Sequence, residues 1–252
     1  MAVPAPGARV RTPAEIRAGA IAEGHKSERA DRLEDSVFGV LDGVITAISL
    51  SVATAGVARI DHAGVLLTIV AAAVAGSLSM FTGALLSGRA KADLIRSERA
   101  REEREVEELP EEERREVHDI YRNRGLSEEE TQVLVQAVTS NKRLWVDTMM
   151  REELGLPPYP ETQPVAHAGT IGLFYLFGGL LPAIPYLLTS LSLFSELELS
   201  VAIGSAELAV VGVVSSIYAS RSWYRSVGEI LAVGLGTAGA VLLVTLALQP
   251  GI

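Results

Sequence analysis

The stretch DSVFGVLDGVITAISLSV, residues 35–52, decides how the rest of the chain is read. From Val37 onward it has the apolarity of a segment entering a lipid bilayer, and it is dense in the small residues that let membrane helices approach closely. Yet Asp42 lies inside it. A carboxylate within a membrane helix costs about 2.5 to 3.5 kcal/mol on insertion scales, so it normally faces a bundle interior or a hydrated cavity and finds a partner there. The alternative is local: Asp42 is close to one end of its helix and can snorkel or cap a neighbour.

The 252 residues are 48% hydrophobic and 21% charged, with a mean hydropathy of +0.29. These values conflict for one water-soluble domain unless charge and grease are segregated along the chain. They are segregated. Residues 89–165 hold most acids and bases, while 37–88 and 166–250 are almost uncharged. Five segments there meet the requirement of roughly 20 apolar residues for a span: Val37 to Val57, Ala63 to Leu86, Val165 to Leu188, Leu199 to Ser220 and Val227 to Leu248. The expected fold is all-α, a polytopic membrane protein with five transmembrane helices and a cytosolic three-helix insert between spans two and three. Its parts are a cytosolic N-terminal segment (1–36), helices one and two (37–88), a cytosolic helical domain (89–164) and helices three to five (165–252).

Orientation follows from the cations. Arg11, Arg17, Lys26, Arg29 and Arg32 precede the first span, Arg89, Lys91, Arg96 and Arg99 follow the second, and Arg221 and Arg225 separate the fourth from the fifth. All fall on one side, which the positive-inside rule makes cytosolic. Residues 1–36 lack the apolar core of a cleavable signal, and Thr12, Pro13 and Glu15 read as the start of a solvated or amphipathic helix. With no cysteine, disulfides and thiolate metal sites are excluded. A net charge of -9 disfavours nucleic acid and favours cations as partners.

The insert reads as three helices. The first continues the second span through residues 89–109, the second starts at Pro110 ahead of Glu111, Glu112 and Glu113, and the third starts at a Ser127/Glu130 capping box and runs to about Leu154. Glu102 and Glu105 are i,i+3 neighbours, as are Glu113 and Glu116, so each pair shares a face with Cβ atoms about 5 to 6 Å apart. Two oxygens on one face can clasp a divalent cation. Met149, Met150 and Glu153 add two thioethers and a carboxylate within about one turn. Carboxylates alone suit Mg, Ca or Mn, whereas thioether tilts a site toward a softer ion such as Fe(II). The bland reading is that a helix rich in Glu and Arg is a solvated, salt-bridged face and that a Met pair is packing. Glu103, Glu107, Glu108, Glu111, Glu112 and Glu152 are assigned to such a face, and His118 to the surface. Enzymatic chemistry has little to work with: there is no Cys, no nucleophile-plus-base spacing and no phosphate loop, and the only histidines are His25, His62, His118 and His167.

Four stretches together resemble the vacuolar iron transporter family: DSVFGVLDGVITA in the first span, GSLSMFTGALLS in the second, TMMREELGL closing the insert and FGGLLPAIPYLL in the third span. RSWYRSVGEILAVGLGTAGA is compatible with the last span, so the resemblance covers residues 32–248. It implies export of cytosolic Fe2+, possibly Mn2+, in exchange for protons, by a homodimer whose insert gathers the metal. It also implies metal ligands at Glu102, Glu105, Glu113, Glu116, Met149, Met150 and Glu153 in the insert, and at Asp42 and Met80 in the membrane. No resident cofactor is implied, since the metal is cargo. Two departures stand out. Where the family has Gly-Glu-Tyr in the second span this chain has Gly83-Ala84-Leu85, and Leu41 replaces an Asn before the Asp. A membrane-tethered metal-binding or sensing protein with weak or no transport is therefore the second reading. A bacterial inner membrane is the expected location, with a vacuolar membrane as the alternative.

Glu207, midway along the fourth span, is a second intramembrane acid, either functional or paired to a neighbouring helix. Pro182 and Pro185 are expected to kink the third span beside Gly178 and Gly179. Tyr175, Trp223 and Tyr224 are expected to anchor at the interface.

Overall fold

The computed structural model describes residues 13–55, 61–160, 163–188 and 191–248, with side chains over 32–54 and the later segments. Every described element is helical: α1 (Pro13–Ala55), α2 (His62–Glu108), α3 (Pro110–Asn123), α4 (Glu128–Thr139), α5 (Lys142–Glu152), α6 (Pro164–Leu180) running into a 3₁₀ stretch (Leu181–Leu187), α7 (Leu193–Ala219) and α8 (Trp223–Leu248). Five of these helical stretches are long and apolar enough to cross a bilayer: Arg32–Thr54, a part of His62–Glu108, Pro164–Leu187, Leu193–Ala219 and Trp223–Leu248. The molecule is an all-α integral membrane protein with five spans.

The helix expected to begin at Pro13 does not end before the first span; α1 is continuous through both. In α7 the start falls at Leu193, ahead of the expected Leu199, because the Ser192 hydroxyl accepts a hydrogen bond from the Ser195 amide at 3.2 Å and supplies an N-cap. The third insert helix is corrected. It is two helices, broken at Ser140 and Asn141, with the Asn141 side chain accepting from the Leu144 amide at 3.2 Å to start α5 afresh. The other insert start is as read: Ser127 and Glu130 form a reciprocal capping box.

The chain forms two compact units, Met1–Thr82 with Ala166–Ile252, and Gly83–Val165. In the first, α1 packs on α7, α8 and the 3₁₀ stretch. Val44 and Ile48 of α1 meet Leu208 of α7 and Ala238 of α8, and Ala47 joins Val65, Ile69, Ala183 and Tyr186 in a second cluster. The α1–α6 crossing depends on glycine. A Cβ at Gly39 would come within 2.5 Å of the Ile171 carbonyl oxygen, one at Gly178 within 2.6 Å of the Val40 carbonyl oxygen, and one at Gly43 would collide with the Tyr175 carbonyl. Tyr175 is corrected from interfacial anchor to buried residue: it is 5% exposed and donates from its hydroxyl to Thr46 at 3.3 Å. Trp223 and Tyr224 are exposed, as an interfacial role requires. After Leu180 the backbone tightens to 3₁₀ geometry, because Pro182 and Pro185 cannot donate the hydrogen bonds that continue an α-helix.

The second unit packs α3, α4 and α5 with the polar half of α2. Ile95 and Val106 of α2, Val117 of α3, Val138 of α4, and Trp145, Val146, Met149 and Met150 of α5 form its core. Arg99 donates to Asp147 at 2.7 Å and ties α2 to α5.

Candidate metal centre

The break at Leu109–Pro110 builds the site. The Leu109 carbonyl accepts from the Glu113 amide at 3.1 Å while the Leu109 amide donates to the Glu105 carbonyl at 2.7 Å, so α3 begins the moment α2 ends. Glu113, in the first turn of α3, is thereby set against Glu102 and Glu105 near the end of α2. One oxygen from each of these three carboxylates lies within 4.8 Å of the others. The residues are not equally wet. Glu102 is 1% exposed and Glu113 4%, whereas Glu105 is half-buried.

Burial makes the cluster electrostatically expensive. The Oε2 atoms of Glu102 and Glu113 are buried and have no hydrogen-bond partner among the described residues. Burial, then the nearby charge of Glu153, pushes the Glu102 carboxyl up to about 7. Burial, then Glu116, pushes Glu113 up to about 7 as well. Glu153 is raised by burial and by Glu116, with which it shares a hydrogen bond. Five acids therefore repel one another around three converging oxygens, an arrangement that a divalent cation would relieve.

Arg101 is the cation that sequence reading passed over. Its guanidinium lies 3.0 Å from Glu98, 3.2 Å from Glu102 and 3.9 Å from Glu105. The i,i+4 interval to Glu105 was the available signal. Met149 and Met150 are fully buried in the hydrophobic core of this unit. The acids assigned to a solvated face behave as such where they are paired: Glu103 bonds Arg99, Glu111 bonds Arg114, Glu107 meets Lys142 and Glu152 meets Arg124. His118 sits at the surface between Asp119 at 3.1 Å and Glu128 at 3.2 Å.

Asp42 and Met80 belong to the membrane unit and are not part of this cluster; both are half-buried, on α1 and α2. Two further acids of that unit are paired with histidine. His167 Nδ1 lies 2.5 Å from Asp35 Oδ2, and His62 Nδ1 lies 2.6 Å from Glu196 Oε2. Sequence reading assigned neither pair, because partners so far apart in the chain leave no local spacing to read.

Five spans and a helical unit with converging carboxylates define an integral membrane protein carrying a candidate divalent-cation centre. Residues 33–246 match the VIT family, and the chain belongs to that family. It is 36% identical over 155 residues to vacuolar iron transporter 2 of Oryza sativa subsp. japonica, an alignment covering 62% of this chain and 63% of that protein. It is 33% identical over 156 residues to vacuolar iron transporter 1 of Arabidopsis thaliana, covering 62% of each. To the vacuolar iron transporter of Toxoplasma gondii it is 35% identical over 162 residues, 64% of this chain and 53% of that protein. The chain thus spans a little under two thirds of the length of the curated relatives it matches.

Proposed function

We propose that this protein moves divalent transition metal, Fe2+ first and Mn2+ second, out of the cytosol across its membrane by exchange with protons. The observation that carries the reading is the convergence of Glu102, Glu105 and Glu113 within 4.8 Å, two of them with buried, unpartnered oxygens. Such a site binds a cation or stays protonated. Family membership supplies the transport context, since the relatives are named as iron transporters. Glu116 and Glu153 complete the carboxylate set, and the thioethers of Met149 and Met150 bias the unit toward the softer ion. The unit faces the cytosol by the positive-inside rule, collecting metal that then passes Asp42 and Met80 in the membrane. In a two-fold homodimer one Asp42 and one Met80 become two of each, a four-ligand site made from two residues. The names of the relatives favour a vacuolar membrane over a bacterial inner membrane.

The second reading, a tethered metal sensor with little transport, is favoured by one observation: Ala84 stands where the resemblance calls for a membrane carboxylate. Proteoliposomes loaded with a pH dye separate the two. Uptake of Fe2+ or Mn2+ with proton counterflow supports the transporter; metal binding without uptake supports the sensor.

A further inference from the structure

Glu207 sits near the middle of α7, in the membrane unit, and both of its carboxylate oxygens are buried without a hydrogen-bond partner among the described residues. It lines a cavity of about 620 Å³ walled by α1, α6 and α7. Leu33, Ser36, Val37 and Val40 of α1 and Phe174 and Phe177 of α6 face it, and among the described residues that line it Glu207 alone is titratable. The Ser36 hydroxyl already donates to the Arg32 carbonyl at 2.7 Å.

Among the described residues, the acids and bases on the surrounding elements are paired elsewhere, exposed or on another face. Asp35 of α1 pairs with His167 of α6, Glu196 of α7 with His62, and Glu229 of α8 with Arg221 at 3.7 Å. Tyr175 bonds Thr46, and Tyr186 of the 3₁₀ stretch lies beside Ser51 and Ser200. Arg32, Glu34, Glu198, Tyr218, Tyr224 and Arg225 are exposed or at helix ends. Asp42 is nine residues from Leu33, which at about 100° per residue puts it roughly half a turn round α1 from the stripe of Leu33, Val37 and Val40. Asp42 therefore lies on the face of α1 opposite the one that borders the Glu207 groove. Among the described residues Glu207 has neither a counter-charge nor a donor, and a carboxylate so placed in an apolar wall is far more costly ionised than neutral.

We propose that Glu207 is a proton-carrying site: it rests as the neutral acid and is the carboxyl through which the protein exchanges protons, on a face of α1 away from the metal path at Asp42. The step is an acid dissociation. The O–H bond of Glu207 breaks, the proton passes to water entering the groove, and the reverse restores the neutral acid. This placement rests on the transport reading above, and it gives the chain a membrane carboxyl in place of the one that Ala84 lacks.

The full-length protein in lipid vesicles tests it by two readouts. Infrared difference spectra between wild type and Glu207→Gln at pH 7 should show loss of a protonated-carboxyl carbonyl band that Asp42→Asn leaves in place; absence of that loss overturns the proposal. Glu207→Gln, close in shape to the neutral acid, should still bind Mn2+ as wild type does, while losing proton counterflow and acceleration of uptake by a pH gradient. Wild-type proton counterflow, or wild-type acceleration of uptake by a pH gradient, in a Glu207→Gln variant that elutes and melts like wild type overturns the proposal. If wild type moves no metal, the transport reading fails, and the infrared band still decides whether Glu207 holds a proton.

Discussion

Arg101 holds its guanidinium among Glu98, Glu102 and Glu105, so any metal entering the cluster competes with it for the same oxygens. The side chain is 43% exposed, and such pairs are worth about 0.2 to 1 kcal/mol, so Arg101→Gln should tighten divalent binding by roughly fivefold at most. Calorimetry with Mn2+ at pH 8 measures it; weaker binding would make Arg101 a support for Glu102 and not a competitor. Protons compete too. Glu102 and Glu113 titrate near 7, so metal affinity should fall below that pH by about tenfold per pH unit for each carboxyl, with proton release on binding. The sign for folding is opposite. A carboxyl raised from 4.5 to about 7 means that the folded chain holds protons the unfolded chain has lost, so metal-free stability should fall as pH rises through that window. Urea melts of the acidic unit's tryptophan signal, from Trp145, with chelator at pH 5 and 8 check this: greater stability at pH 8 would mean that the carboxyls are not protonated in the fold.

The crossing of α1 and α6 leaves no room for a side chain at Gly43, whereas a Cβ at Gly236 of α8 would meet nothing within 4 Å. Gly43→Val should therefore destabilise the protein in detergent by about 1 to 3 kcal/mol or more, while Gly236→Val, which bears the same β-branched helix penalty, should melt close to wild type. Equal melting would mean that the crossing is loose. Element by element, what the chain reveals in advance follows the range of the determining interaction. Spans are legible because apolar length is local, and the Glu102/Glu105 pair because i,i+3 spacing is local. The break between α4 and α5 is not, since neither Gly nor Pro marks it and the Asn141 cap prevails over a pattern that would continue the helix. Nor is the meeting of Glu113 with Glu102, which needs α3 to turn back at Pro110, nor the burial of Tyr175, whose hydroxyl finds Thr46 on another helix. Glu207 is legible as an intramembrane acid, but its lack of a donor among the described residues is a property of the packed bundle.

Across the whole molecule the transport reading assigns the two units different kinetic duties, and variants can tell them apart. On that reading the acidic unit concentrates metal, so Glu102→Gln or Glu113→Gln should raise the concentration for half-maximal uptake by about tenfold or more, as expected for losing a charge-assisted ligand worth about 1.5 to 3 kcal/mol. Flux at saturating metal should survive, because a collecting site is bypassed once the ion is abundant. Asp42 is different: an intramembrane carboxylate carries an insertion cost that by default marks a functional role. Asp42→Asn keeps size and hydrogen bonding and removes the charge, so uptake by proteoliposomes should collapse at every metal concentration. Met80→Leu should weaken uptake in the same saturation-resistant way but more mildly, since a neutral thioether holds a cation less strongly than a carboxylate does. The decisive comparison is the shape of the saturation curve. If Asp42→Asn merely shifts the curve and reaches the wild-type plateau, Asp42 is no obligatory ligand. If Glu102→Gln lowers the plateau without shifting the midpoint, the acidic unit takes part in translocation and not only in capture.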